Sequence, residues 1–442
     1  MTPRTDTPCP GRGTPDDPDD RHAFPRAGEP PAVAGFDTPA PKTGTSPAST
    51  ARPTSTARPA SPSYARRAGR LARTLTCCAA AALLIAGCAA HDGAAHTSPA
   101  TPTGPPAPTA TATSGGTLLV ADFGSDTVTF VDPRRGPVDS VEVGTAPYGL
   151  AVGADGRAWV ATAEGVAVVD TRTRERLALI PYETDTGPVG TGEYRGGGMG
   201  IALSSDGGRV YVGVNVPGGN GVLEVVDTNR REVTGTVPVG RRPFDVDVSR
   251  DGSEVYATNH DSFDVTVVTT DSLAARRVEV APYGTEGGLG SWLKPHYAVV
   301  RPSDGRLLLP FEGERLVVVD PRTGRSEIRP MTADTHQHGA TITPDGTLLV
   351  VGTGPIDPSE DEGPSLTVRT TAGDERVYPL EGPHEDVAVS KDGRTAYVTG
   401  GFTRDGYWNG ITVVDLPTGA THRLAAGDRP LGIAVLSADP AA

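Results

Sequence analysis

The sequence predicts an all-β protein assembled from repeated four-stranded units, and three observations support this prediction. An Asp-Gly turn or its equivalent recurs every 41 to 53 residues, a spacing typical of propeller repeats. The segments between turns are short, rich in valine and bounded by Gly, Asp or Pro. Gly (56) and Pro (42) are abundant, and no run is long enough for a domain-organising helix. The recurring aspartates are Asp155, Asp206, Asp251, Asp304, Asp345, Asp392 and Asp439.

One unit shows its four strands plainly. It reads "RPFDVDVSRDG", "SEVYATN", "DVTVVTT" and "ARRVEVAP" in order. The Asp-Gly turn suits a tight reversal because glycine accepts a positive φ. A second family of turns, such as "VDPRTG" and "VDTRTRE", ends the third strand of most units. Seven units of four antiparallel strands predict a seven-bladed β-propeller.

The phase of the repeats predicts how the ring closes. The first unit begins at "TLLVADFG" (117–124), which matches the second strand of the other units. The chain ends with "RPLGIAVLSADP", which matches a first strand on its own. We therefore expect the C-terminal strand to join the first blade, so that no sheet edge is left open.

The segment before the repeats has the pattern of an export signal. Residues 1–65 are rich in Pro, Thr, Ala and Arg, and we expect either a disordered leader or a wrongly assigned start. Residues 66–88 join a basic region to an apolar stretch that is too short to span a bilayer. The "IAGC" that ends this segment resembles the lipobox of bacterial lipoproteins, which implies lipidation of Cys88. An uncleaved anchor and an ordinary secretory signal are the alternatives.

Composition divides the chain into a tether and a main domain and excludes several kinds of site. Residues 89–115 form a Pro/Thr/Ala-rich tether, and residues 116–440 form the predicted propeller. All four cysteines lie at or before Cys88, which excludes disulfides, cysteine-ligated metals and cysteine nucleophiles from the main domain. After Cys88 the chain has 29 basic and 47 acidic side chains, so we expect no nucleic-acid binding.

The repeats resemble a known family. Units reading "P-x-G-x-A-V-x-x-D-G…V-Y-V…V-x-V-V-D-T…V-x-V-G" are similar to the YVTN β-propeller repeats of surface-layer and YncE-like proteins, over about residues 116–440. The resemblance implies an extracytoplasmic propeller and no single chemistry. Two stretches depart from the pattern: "GTGPIDPSEDEGPSLTVRTT" and a first strand that begins HQHG.

Strand order assigns the functional residues to one face. The Asp-Gly and "VDPRTG" turns lie on one face, and the long loops lie on the other, where we expect the site. The first strand of each unit begins on this long-loop face, at the mouth of the central channel. Its entry positions are Tyr148, Met199, Phe244, His296, His338, His384 and Leu431, with a register uncertain by one residue at His296, His384 and Leu431.

Further candidates border the same mouth. We predict that Arg242, Trp292 and Trp408 contact a ligand there. Weaker candidates for anion binding are Arg195, Arg241, Lys294 and Arg429.

The histidines permit two interpretations. His296, His338 and His384 come from adjacent blades, and neutral imidazoles that converge bind zinc, copper or iron. His260, His336, Asp261, Glu312 and Glu385 are possible partners of such a divalent transition metal. Alternatively, the imidazoles cap strands and hydrogen-bond to carbonyls or water.

Three functions therefore remain open. The first is a lipid-anchored, extracytoplasmic propeller that binds a small molecule or an envelope protein at its long-loop face without catalysis. The second is a metal-dependent, lactonase- or lyase-like enzyme that uses the three histidines. The third is a scaffold of the cell envelope. In each case we expect a monomer that meets the membrane only through its lipid anchor.

Overall fold

The computed structural model describes residues 116–280, 294–311, 314–333, 337–352, 363–401 and 406–436. Within these ranges, 28 strands form seven four-stranded antiparallel sheets, which confirms the predicted seven-bladed propeller. The described part of the chain contains no helix that is long and apolar enough to cross a membrane. The predicted leader, signal and tether, and Asp439, lie outside the described residues.

The four strands of each blade are ordered from the central channel outward. Blade 1 contains β28 (Pro430–Val435), β1 (Leu118–Asp122), β2 (Thr127–Asp132) and β3 (Gly136–Glu142). Blade 2 contains β4 (Leu150–Val152), β5 (Arg157–Ala161), β6 (Gly165–Asp170) and β7 (Glu175–Pro181). Blade 3 contains β8 (Gly197–Leu203), β9 (Arg209–Asn215), β10 (Val222–Asp227) and β11 (Glu232–Pro238). Blade 4 contains β12 (Pro243–Val248), β13 (Glu254–Asn259), β14 (Asp264–Thr269) and β15 (Ala275–Glu279).

The remaining three blades follow the same order. Blade 5 contains β16 (Val299–Val300), β17 (Leu307–Phe311), β18 (Arg315–Asp320) and β19 (Arg325–Pro330). Blade 6 contains β20 (Gln337–Ile342), β21 (Leu348–Gly352), β22 (Ser365–Arg369) and β23 (Glu375–Pro379). Blade 7 contains β24 (Val387–Val389), β25 (Thr395–Thr399), β26 (Gly410–Asp415) and β27 (Thr421–Ala425).

The hydrophobic core lies between the blades. Side chains alternate along a strand, so one residue faces the preceding blade and the next residue faces the following blade. Leu118, for example, packs with Tyr397 of blade 7, and Leu119 packs with Ala158 of blade 2. Each of the seven blade interfaces carries one such apolar cluster. The valine-rich strands therefore serve two interfaces at once.

The ring closes as the phase of the repeats predicts. β28 pairs antiparallel with β1, and Leu118 lies opposite Val435. The Asp122 carboxylate, which is fully buried, accepts hydrogen bonds from the backbone of Gly427 at 3.0 Å and from Thr129 at 2.5 Å. The C-terminal strand is therefore joined to blade 1 by both backbone and side-chain contacts.

Glycines in the first strands let neighbouring blades approach closely at the channel. A Cβ atom on Gly200 would lie 2.4 Å from the Cα of Asp245, and one on Gly432 would lie 2.6 Å from the Tyr148 carbonyl oxygen. Blades 4 and 7 have aspartate in place of this glycine. Asp245 accepts a hydrogen bond from the backbone of Ala298 in the next blade at 2.9 Å. In blades 1, 2, 3 and 6 this glycine therefore allows the neighbouring first strand to approach closely.

Candidate functional site

Strand pairing identifies the residue that each blade places at the channel mouth. Val387 pairs with Val398 in blade 7 as Val246 pairs with Ala257 in blade 4. Glu385, rather than His384, is therefore the blade 7 counterpart of Phe244. The seven mouth residues are Leu431, Tyr148, Met199, Phe244, His296, His338 and Glu385.

One side of the mouth is apolar. Leu431, Tyr148, Met199 and Phe244 form a buried cluster that we call the apolar arc. The rings of Tyr148 and Phe244 meet edge to face, with centroids 5.5 Å apart. This is a favoured geometry for aromatic pairs, so the arc is well packed.

The other side of the mouth is a continuous row of ionisable side chains, which we call the ionisable arc. Its five members, in spatial order, are Asp261, His260, His296, His338 and Glu385. Asp261 Oδ1 lies 2.7 Å from His260 Nδ1, and His260 Nε2 lies 3.1 Å from His296 Nε2. The rings of His296 and His338 stack with centroids 4.8 Å apart, and His338 Nδ1 lies 2.9 Å from Glu385 Oε2.

The contacts of His260 define the proton positions at the outer end of the arc. Burial lowers the pKa of His260 to about 3, so this imidazole is neutral at physiological pH. Its Nδ1–H donates to the Asp261 carboxylate, which leaves Nε2 as an acceptor. His296 Nε2–H must then donate to His260 Nε2. In a neutral His296 this places a basic lone pair on Nδ1.

Two cations surround the outer end of the arc. Arg242 Nη2 lies 2.9 Å from Asp261 Oδ2, and Lys294 Nζ lies 3.6 Å from Asp261 Oδ1. Burial opposes ionisation of Asp261, but the hydrogen bond from His260 and the nearby cations outweigh it and hold its pKa well below the usual range. The side chains of Arg242 and Lys294 remain 14% and 20% exposed. This end of the arc is therefore the part that solvent reaches.

Tyr297 crosses the channel beneath the mouth. Its hydroxyl lies 3.4 Å from Glu385 Oε1, to which it donates, and its ring lies 5.9 Å from that of Phe244. Tyr297 also packs against the apolar arc. It therefore joins the two sides of the mouth.

Below this layer the channel opens toward the Asp-Gly turns. Tyr148 and Phe244 are buried, whereas Leu150 and Val248, farther along the same inner strands, are half-buried. A cavity of about 360 Å³ occupies this part of the channel. Its walls carry three carboxylates, Asp245, Asp247 and Asp386.

His384 is not part of the ionisable arc. Its Nδ1 donates to the Gly382 carbonyl at 2.8 Å, and its Nε2 lies 2.7 Å from the Thr412 hydroxyl. Blade 7 has one additional residue before its first strand, which moves His384 out of the mouth position and Glu385 into it. The structure therefore corrects the placement of this histidine.

The predicted three-histidine metal site is not assembled. His296 and His338 lie together, but both His384 nitrogens are engaged within blade 7. Among the described residues, no group of three or more His, Cys, Asp and Glu side chains is arranged to hold a metal ion. The described residues thus do not form the divalent metal site that the sequence suggested.

Two other residues that the sequence predicted at the mouth, Trp408 and Arg195, make contacts with residues outside the ionisable arc. The centroids of the Trp408 and His384 rings lie 5.7 Å apart. The guanidinium carbon of Arg423 lies 4.6 Å from the centroid of the Trp408 ring. Arg195 is buried and donates to the carbonyls of Ala146, Gly196 and Gly198. Trp292, His336 and Glu312 lie outside the described residues.

The sequence suggested His260 and Glu385 only as possible partners of a divalent metal. It did not indicate that Tyr297 belongs to the site. The Asp-Gly turn at 392–393, counted back along the first strand, was the available signal for Glu385. His260 and Tyr297 gave no such signal, because their places depend on contacts between blades.

Comparison with solved structures supports the fold. A protein of unknown function from Desulfotomaculum acetoxidans is similar with a TM-score of 0.56, at 10% identity over 73% of this chain and 100% of that chain. The periplasmic gluconolactonase PpgL of Pseudomonas aeruginosa has a TM-score of 0.52, at 17% identity over 73% and 99%. The hydrazine synthase of Kuenenia stuttgartiensis has a TM-score of 0.51, at 18% identity over 73% and 99%. No protein-family model and no curated protein sequence matches the chain. At these identities the likeness is one of fold.

Proposed function

We propose that this chain is a lipid-anchored, extracytoplasmic propeller that binds a small anionic ligand at the long-loop end of its channel. The ionisable arc is the observation that carries the proposal. Four blades fill the mouth position with Leu431, Tyr148, Met199 or Phe244, so the fold itself needs no histidine or carboxylate there. Three neighbouring blades nevertheless place His296, His338 and Glu385 at this position.

Burial of these three polar side chains costs free energy, and a role in ligand binding would explain why they are present. His296 is 5% exposed, His338 is 6% exposed and Glu385 is 1% exposed. Transfer of a polar group from water to such a site costs about 1–3 kcal/mol when its hydrogen bonds are not replaced. Their neighbours His260 and Asp261 have strongly shifted pKa values, and such groups are concentrated at functional sites.

The outer end of the arc suggests the charge of the ligand. Arg242 and Lys294 both lie beside the Asp261 carboxylate, so two cations border this end of the arc. The Arg242 guanidinium also stacks on the exposed ring of Tyr194, with its carbon 3.7 Å from the ring centroid. A carboxylate or phosphate would receive charge-assisted hydrogen bonds from these cations, and ligand hydroxyls would meet the imidazoles. Sugar acids combine both features.

Lactone hydrolysis is the second candidate. A neutral imidazole of the ionisable arc, such as that of His296, has the chemistry of a general base for water. One of the structures with a similar fold is described as a gluconolactonase, and a sugar lactone opens to a sugar acid. On this view the proposed ligand is the product of the reaction.

Calorimetric titration of the full-length chain tests ligand binding, with gluconate as the anionic probe and glucitol as its neutral analogue. We expect gluconate to bind and glucitol to bind at least tenfold more weakly, because a charge-assisted hydrogen bond contributes about 1.5–3 kcal/mol. Arg242→Gln and His338→Gln should each weaken gluconate binding roughly tenfold. His384→Gln is the matched control, since this histidine is equally buried but lies outside the arc.

Three results would separate the possibilities. Equal affinity for glucitol, or full affinity in both Arg242→Gln and His338→Gln, would contradict the binding site. Proton release from glucono-1,5-lactone above the rate in buffer, lost in His296→Gln and kept in His384→Gln, would favour hydrolysis. Loss of binding in His384→Gln alone would indicate that stability, not the arc, controls the signal.

A further inference from the structure

Asp247 is a carboxylate at a position of the first strand where the other six blades have none. It pairs with Tyr256 in the second strand of its blade, and the same pairing defines its counterpart in every other blade. The six counterparts are Ala434, Ala151, Ala202, Val299, Thr341 and Ala388. Five blades thus place a small apolar side chain here and one places threonine, so packing does not require a carboxylate.

The carboxylate of Asp247 also lacks the structural role of its neighbour Asp245. Asp245 accepts hydrogen bonds from the backbone of Ala298 and of Val246, both at 2.9 Å, and so links two blades. Asp247 Oδ2 is buried and has no hydrogen-bond partner among the described residues. Buried carboxylate oxygens are rarely left in this state without a ligand, water or ion.

The surrounding cavity is lined by three carboxyl groups. Asp245 and Asp386 line it together with Asp247, and no Lys, Arg or His of the described chain does so. Burial, followed by the charge of Asp245, raises the pKa of Asp247 well above its usual range. Burial also raises the pKa of Asp245 to about 6 and that of Asp386 to about 7. A bound cation would remove this unfavourable electrostatic energy.

The rest of the wall indicates what kind of cation fits. Leu150, Ile201 and Val300 give the cavity apolar surfaces, and its volume of about 360 Å³ is in the range of small-molecule sites. No three carboxylates of the described residues converge closely enough to bind a metal ion. We propose that this cavity binds an organic cation, with its ammonium or guanidinium group on Asp247 and its hydrocarbon part against the apolar wall. This site is separate from the ionisable arc and lies on the Asp-Gly side of Tyr297.

The test compares benzylammonium with benzyl alcohol, its neutral analogue, by calorimetric titration of the full-length chain. We expect the cation to bind and the alcohol to bind at least tenfold more weakly. Asp247→Ala introduces the residue found in four other blades, so it should fold normally and weaken benzylammonium binding at least tenfold. Thr341→Ala, the same change at the equivalent position of blade 6, should leave the affinity within twofold.

Several outcomes would overturn the proposal. These are no binding of benzylammonium at millimolar concentration, equal binding of benzyl alcohol, and full affinity in a folded Asp247→Ala variant. Binding of calcium that depends on Asp247, in the absence of benzylammonium binding, would assign the site to a metal ion and would equally reject an organic cation. His338→Gln should not affect this titration, which separates it from the site at the mouth.

Discussion

At the scale of single residues, the hydrogen bonds of His384 give its imidazole a structural role. Its Nδ1–H donates to the Gly382 carbonyl, so in the neutral ring Nε2 accepts from the Thr412 hydroxyl. Burial lowers the pKa of His384 to about 4. The side chain is thus held neutral with both nitrogens paired. His338, at the start of the neighbouring first strand, instead contacts His296 and Glu385.

This difference predicts the stability of a His384→Asn variant. At pH 7 we expect it to lose about 1–3 kcal/mol of unfolding free energy, because buried hydrogen bonds are broken. An unfolded histidine takes up a proton below pH 6.5, whereas folded His384 does so only near pH 4. The stability that neutral His384 contributes is therefore lost as the pH falls from 6.5 to 4.

Urea denaturation at pH 7 and pH 4.5 measures this effect. The deficit of His384→Asn should be smaller at pH 4.5. His422→Asn is the control, since His422 lies in the same blade and is exposed. A deficit that is equal at both pH values would contradict the structural role assigned to His384.

At the scale of elements, β28 determines whether the ring is closed. It supplies the inner strand of blade 1 and also the mouth residue Leu431. Leu431 is 1% exposed and Ile433 is 8% exposed, so both contribute to the core. The backbone of Phe123 donates to the Arg429 carbonyl at 3.0 Å, beside the contact between Asp122 and Gly427.

Deletion of residues 427–442 should therefore destabilise the whole propeller. Burial of a large apolar side chain contributes about 1.5–3 kcal/mol, so removal of β28 should cost about 5 kcal/mol or more and leave β1 as an exposed edge. Calorimetry should show a melting temperature lower by at least about 10 °C, or aggregation. Deletion of 437–442, which leaves β28 intact, is the control. Equal melting temperatures for both deletions would show that closure does not stabilise the ring.

At the scale of the whole molecule, the propeller combines acidic charge with a proposed lipid anchor. The full chain has a net charge of −14, and its N-terminal 88 residues have an excess of basic side chains. Positive charge before an apolar stretch is typical of an export signal. The negative charge of the remaining residues favours solubility.

We predict that Cys88→Ser releases the protein from the membrane, because Cys88 is the proposed attachment point of the lipid. Labelling of cells with a radioactive fatty acid, followed by detergent partition, measures this. Cys78→Ser should remain labelled, because Cys78 belongs to the segment that the signal peptidase would remove. Membrane retention of Cys88→Ser, or a mature N-terminus other than residue 88, would contradict the anchor.

The sequence alone determined the repeating architecture of this protein. The Asp-Gly turns, the valine-rich strands and the unpaired first strand at the C-terminus are local or periodic features, and they predicted both the blades and their closure. Tyr148, Phe244 and His338 each precede the aspartate of the next turn by seven residues, and this regular spacing placed them at the start of their first strands.

Only the tertiary structure decided which polar groups meet. His260 joins the arc from the loop that follows β13, and Glu385 meets His338 of the neighbouring blade. The solvent-exposed cavity lies on the face with the short turns, because Tyr297 and the apolar arc fill the channel at the other end. Contacts between blades depend on register and on packing across the ring, and neither is encoded in the spacing of residues along one strand.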